Sequence, residues 1–114
     1  LESTVDINNC LFHEYRSGKS SEAEEAYERM INSMLEAGDY DRMLELITGR
    51  SSMYFLIDQC DKSLDSLRDE SVSVLSDEQK QRFYESAIDL SANCGDEVGK
   101  EQYVSLKRQG TVDE

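Results

Sequence analysis

Apolar residues recur three and four positions apart almost from end to end of this chain, and no proline interrupts them. There is no sustained period-2 stretch, no Asn-Gly or Asp-Gly hairpin signal and no β-branched run longer than two residues. A chain patterned this way buries its apolar surface as helix stripes rather than sheet faces. The expected fold class is all-α, a compact antiparallel bundle of about four main helices plus two shorter ones. With 114 residues, 38% of them apolar, the chain is long enough for one core and too short for two, so residues 1–114 read as a single helical domain.

Gly and Ser punctuation divides the pattern into six pieces. The first runs from Thr4 to Arg16, with Ile7, Leu11 and Tyr15 on one side, joined there by Cys10, and ends in Ser17-Gly18. The second opens on an SxxE capping box, Ser21 and Glu24, carries a wide stripe of Ala23, Ala26, Tyr27, Met30, Ile31, Met34 and Leu35, and stops at Gly38. A short third piece follows Asp39 as N-cap and ends at Gly49. A fourth begins after Ser51 or Ser52 and places Met53, Leu56, Ile57, Cys60, Leu64 and Leu67 on one face, widened by Phe55. Asp69 to Leu75 is a packed connector. Ser76 and Gln79 repeat the capping-box pattern before a fifth piece with Phe83, Ala87, Leu90 and Cys94, ended by Gly95. The sixth follows Asp96 and closes at Gly110, leaving Thr111 to Glu114 frayed.

Leu35 to Leu44 reads Leu-Glu-Ala-Gly-Asp-Tyr-Asp-Arg-Met-Leu, which resembles the turn between the two helices of a tetratricopeptide repeat. The likeness is confined to that turn. The next helix is short before Gly49, Met43 and Ile47 replace small residues, and nothing recurs at the repeat period of about 34 residues. It implies a local helix-turn-helix and no family.

Charge narrows the partners. Twenty-five acidic against 12 basic side chains leave a formal charge of −13, which repels phosphate backbones and anionic lipid and attracts basic proteins. The excess peaks over residues 21–49, where Glu22, Glu24, Glu25, Glu28, Glu36, Asp39, Asp41 and Glu45 face only Arg29 and Arg42. No apolar run reaches the roughly 20 residues of a membrane span, and Leu1 to Asn9 carry neither block of a secretory leader. Cys10, Cys60 and Cys94 are too far apart for a CxxC pair or a zinc knuckle. In an oxidising compartment a Cys10–Cys60 or a Cys60–Cys94 bridge can form, and in cytosol all three are expected to be buried thiols. Cytoplasm, bacterial periplasm and secretion therefore all stay open.

Catalytic patterns are missing. Gly18-Lys19-Ser20 ends like a phosphate-binding loop, but His13 stands where that loop needs its first glycine, and a helix rather than a strand precedes it. His13, the single histidine, with Cys10 and Glu14 falls short of a four-ligand zinc site. Asp58, Asp61 and Asp65 fit an exposed helix face better than a calcium loop. The expectation is a protein that is not an enzyme and needs no cofactor or metal. It docks a basic protein partner in the manner of an immunity-type inhibitor or a DNA-mimicking blocker, binding no nucleic acid itself. The expected partner-binding residues are Glu24, Glu25, Glu28, Glu36, Asp39, Tyr40, Asp41, Glu45 and Tyr54, the tyrosines as short-range anchors. The alternative is a helical adaptor or small envelope scaffold whose apolar groove, rich in Met30, Met34, Met43 and Met53, receives a partner helix.

Overall fold

The computed structural model describes residues 3–112, with side-chain environments for 3–109. The chain is all-α. Its helices are α1 (Thr4–Arg16), α2 (Ser20–Ala37), α3 (Tyr40–Leu56), α4 (Cys60–Ser66), α5 (Asp77–Asn93) and α6 (Glu97–Val112), with a 3₁₀ turn over Glu70–Val74 between α4 and α5. Five helices are 13 to 18 residues long and α4 has seven.

Several ends follow the sequence reading. The Ser3 hydroxyl accepts from the Asp6 amide at the start of α1. The capping box of α5 forms in both directions, with the Gln79 amide donating to Ser76 Oγ at 3.2 Å and the Ser76 amide donating to Gln79 Oε1 at 2.9 Å. Gly38 takes the left-handed conformation after α2, and the Asp39 amide reaches back to the Met34 carbonyl at 2.9 Å.

Other ends differ. α2 begins at Ser20 with Lys19 as its cap, so Ser21 is already inside the helix and the Ser21–Glu24 capping box does not form. Asp39 sits at the N-cap of α3 without a side-chain cap bond, because its carboxylate pairs with Arg42 at 3.7 Å. α6 continues through Gly110 to Val112, so Gly110 does not close it; of the residues expected to fray, Thr111 and Val112 are helical and 113–114 lie outside the described residues.

The largest correction concerns Gly49 and Ser51. Both were expected to divide two helices, yet α3 runs unbroken from Tyr40 to Leu56. Met43, Ile47, Ser51 and Tyr54 form one buried stripe along it, and helical period outweighs the glycine. The true break comes at Ile57 to Gln59, where Asp58 adopts φ 65° and the Gln59 amide donates to the Tyr54 carbonyl at 2.8 Å. Aspartate therefore does here what glycine does after α2. With the helix ended, Leu56 points outward at 65% exposure instead of joining the expected stripe.

Gly49 serves packing. A Cβ at that position would collide with the Asn8 side chain of α1. Asn8 in turn accepts from the buried Tyr27 hydroxyl of α2 at 2.8 Å, so three helices meet at one point. Burial raises the Tyr27 hydroxyl to about 12, only partly offset by Arg50, and keeps it a donor throughout the physiological range.

α3 is the hub: it packs against α1, α2, α4 and α5, whereas α6 leans chiefly on α5. Ile7, Leu11, Tyr27, Ile31, Phe83, Ala87 and Leu90 close around its stripe in one apolar cluster. α4 is fastened to it by a reciprocal pair of buried bonds: Ser51 Oγ donates to the Ser63 carbonyl at 2.8 Å, and Ser63 Oγ donates to the Ser51 carbonyl at 2.7 Å. A Cys60–Cys94 disulfide joins the first residue of α4 to the end of α5, the second of the two pairings that the sequence left open; Cys10 is a free, exposed thiol and does not join Ile7 and Leu11 on the buried side of α1.

Replacing Gly49 with Ala should lower stability by about 1 kcal/mol, because the helix-propensity gain of about 1 kcal/mol is smaller than the loss of a buried hydroxyl's partner. In an Asn8→Ala background the same substitution should become stabilising, a reversal measured by denaturant unfolding of the four proteins of the cycle. Removing the bridge with Cys60→Ser and Cys94→Ser should cost about 3 to 4 kcal/mol on the chain-entropy relation. The same loss should follow from adding a reductant to the wild-type protein during denaturation.

Candidate functional site

A concavity of the surface runs between α2 on one side and α4 with the 3₁₀ turn on the other, with α3 as its floor. One part, about 580 Å³, has Glu24, Glu25 and Glu28 on the α2 wall and Lys62 and Asp65 on the α4 wall. A second part, about 590 Å³, continues past Asn32 and Leu35 toward Glu70 and Val74. Arg50, Asp69 and Glu28 border both, so the two make one trough.

Helix geometry explains the α2 wall. Glu24 and Glu28 are one turn apart, Glu25 lies beside them, and Ala23, Tyr27 and Ile31 turn the adjoining side into the core. The floor is electrostatically distinct. Arg50 is nearly buried, with its Nη2 3.0 Å from Asp69 Oδ2 and 3.4 Å from the Ser66 carbonyl. Its Nε is buried with no partner among the described residues, so Asp69 carries the pairing. Burial pushes the Asp69 carboxyl up, but the Ser71 amide at 2.9 Å and the Arg50 guanidinium together hold it below its ordinary value of 3.8. Asp69 is thus both the cap of the 3₁₀ turn and the counter-ion of Arg50.

At the α1 end of the trough, Tyr15 and Tyr54 meet edge to face at 5.7 Å and 87°. The Lys62 ammonium lies 5.7 Å from the Tyr54 ring centroid, 3.4 Å from the Tyr15 hydroxyl and 3.7 Å from Glu24 Oε1. Burial first, then the Glu24 carboxylate, raise the Tyr54 hydroxyl above the ordinary phenol range.

Of the residues expected to bind a partner, Glu24, Glu25, Glu28 and Tyr54 come together here. Tyr54 is only 4% exposed, so it is a wall rather than a protruding anchor. The other five lie elsewhere. Glu36 is exposed near the end of α2 and Tyr40 is half-buried against the core. Asp39 pairs with Arg42, and Asp41 binds Arg82 at 2.6 Å and Gln79 at 2.9 Å on α5, bonds that hold its carboxyl below the usual range. Glu45 accepts from Thr4 of α1.

Five contributors escaped the sequence reading: Tyr15, Arg50, Lys62, Asp65 and Asp69. Asp58, Asp61 and Asp65 are all exposed, as expected, but Asp58 belongs to the turn before α4 rather than to one helix face. The usable signal was the Arg50 charge in the apolar stripe of α3, which requires a buried counter-ion.

Among the described residues no group of three His, Cys, Asp or Glu side chains is arranged to hold a metal ion, and no helix is long and apolar enough to cross a membrane. His13 is exposed. No protein-family model matches the sequence, and no curated protein or solved structure is significantly similar to it.

Asp69→Asn keeps an oxygen for the Ser71 amide but removes the charge facing Arg50. It should destabilise the protein by about 1.5 to 3 kcal/mol at neutral pH, the range for hydrogen bonds to charged groups. Because the folded pKa is depressed, the wild-type advantage is full above pH 3.8 and fades as pH falls below it. Urea midpoints of the two proteins should therefore converge in that acid range.

Proposed function

We propose that this chain is a non-enzymatic binding protein that docks a basic segment of a partner protein in the trough between α2 and α4. The carrying observation is the concentration of Glu24, Glu25, Glu28, Asp65 and Asp69 around one concavity, against Arg50 and Lys62 alone. Arg50 is neutralised by Asp69, Glu24 pairs with Lys62 and Asp65 with Arg68, so Glu25 and Glu28 are the carboxylates left to face an incoming cation. A concave acidic site with low-dielectric walls focuses its field and steers cationic partners on approach. The overall charge of −13 adds to that steering and disfavours nucleic acid as the ligand.

An inhibitor of the immunity type, which blocks a basic toxin or a nucleic-acid-binding protein, fits this charge distribution. The two- and three-residue connections between α1 and α2, α2 and α3, and α5 and α6 support an antiparallel bundle as the frame that presents the trough. The adaptor reading has less support. Met43 and Met53 are buried in the core, and Met30 and Met34 pack against it.

An arginine-rich peptide should bind the wild-type protein with an affinity that drops steeply between low and high salt, as titration calorimetry would record. Glu25→Lys and Glu28→Lys, both at exposed positions, should each weaken binding by about fivefold, whereas Glu101→Lys on α6 should have a much smaller effect. Affinity that ignores salt, or equal losses at all three positions, would refute the trough as the docking site.

A further inference from the structure

The trough already holds a cation of the protein's own. The Lys62 ammonium sits against a carboxylate, Glu24, a tyrosine hydroxyl, Tyr15, and the ring of Tyr54. These are the three kinds of group that recognise an alkylammonium or guanidinium: charge, a lone pair and a π face. Tyr15 and Tyr54 stand nearly perpendicular, so together they form two sides of a cage. Tyr15 is itself fixed, because its hydroxyl donates to Gln59 Oε1 at 3.1 Å in the turn before α4.

Lys62 is held loosely in this place. Its side chain is 50% exposed and that of Glu24 is 40% exposed, the regime in which an ion pair adds little. The hydrogen bond to Tyr15 first, and Glu24 second, raise the Lys62 pKa, so the occupant is fully charged at neutral pH. A long flexible stem on a seven-residue helix can swing out without disturbing the core.

On the basis of the acidic-trough reading, we infer that Glu24, Tyr15 and Tyr54 form the receptor for one lysine or arginine side chain of the partner, and that Lys62 occupies this receptor as an internal stand-in until the partner displaces it. Arginine fits best, since its planar guanidinium stacks on an aromatic face while bonding a carboxylate. Two consequences follow for binding. Weakly basic ligands are refused because they must compete with an ammonium already in place. Strongly basic segments bind in spite of it, because a better-fitting guanidinium on Glu24 and the Tyr54 ring offsets the displacement of Lys62.

The test uses Lys62→Gln, with Lys100→Gln as a control that removes the same charge from α6, a helix that does not line the trough. Both are titrated with the arginine-rich peptide, and the ring resonances of Tyr15 and Tyr54 are followed by NMR. Lys62→Gln should bind about three- to fivefold more tightly than wild type, the range for releasing one exposed ion pair, and should exceed any gain from Lys100→Gln. The Tyr15 and Tyr54 rings should shift as the peptide saturates. If the two variants gain equally, or if the rings do not respond at saturation, the stand-in is overturned while the salt-sensitive trough survives. If neither wild type nor Lys62→Gln binds the peptide, both readings fall together.

Discussion

The continuous passage of α3 across α1 at Gly49 is the constraint on which the other arrangements depend. Without a Cβ at that position, the α3 backbone comes close enough for Asn8 to fill the gap and for Tyr27 of α2 to find its hydrogen-bond partner. The helix continues past this point, and its next turns carry Arg50, Ser51 and Tyr54, each committed to a different neighbour. A helix ending at Gly49 would leave α4 and the 3₁₀ turn with nothing to dock on. The single glycine thus acts through the length of the helix it permits, and a residue that often marks an end here secures a crossing.

Electrostatics divide the molecule into paired and unpaired regions. Asp39, Asp41 and Glu85 are engaged by Arg42, Arg82 and Lys107, contacts exposed enough to add little stability but enough to occupy those carboxylates. Of the ion pairs described between residues 3 and 109, Arg50–Asp69 has both partners most withdrawn from water, and it fixes the floor of the trough. Glu25 and Glu28 keep their charge at exposed positions on the trough wall. Of the chain's 25 acidic and 12 basic side chains, the first part of the trough is lined by five carboxylates against two basic groups.

Helix positions were legible in the sequence wherever period and punctuation agreed, as with Ser76 and Gln79 before α5 and Gly38 after α2. They were misread where the two conflicted. Gly49 reads as a stop, yet Met43, Ile47, Ser51 and Tyr54 keep the period across it, and the real stop rests on Asp58 in a left-handed conformation that its residue type signals only weakly. The site was half legible. Glu24, Glu25 and Glu28 share one helical segment, so local spacing places them together, whereas Arg50, Lys62 and Asp69 join them only through tertiary packing. Counting acids by segment also merged Asp41 and Glu45 with that wall, although one faces α5 and the other α1. Sequence distance is a poor guide to which carboxylates share a surface.

The two walls of the trough are anchored very differently, and this bears on how the site can work. The α2 wall is backed by Ala23, Tyr27 and Ile31, which are fully or almost fully buried, so its carboxylates stand on a rigid base. The opposite wall is a helix of seven residues, too short to persist on its own. It is held by three fastenings of different kinds: the Ser51–Ser63 bonds to α3, the Arg50–Asp69 pair beneath it and the Cys60–Cys94 bridge to α5. The bridge gives α5, and through it α6, a part in shaping a site that neither helix lines. On the proposed docking of a basic segment, the fixed wall would present constant charge while Lys62 on the tethered wall exchanges places with the ligand. The disulfide and the buried serines keep that exchange to a side-chain motion rather than a loss of the helix.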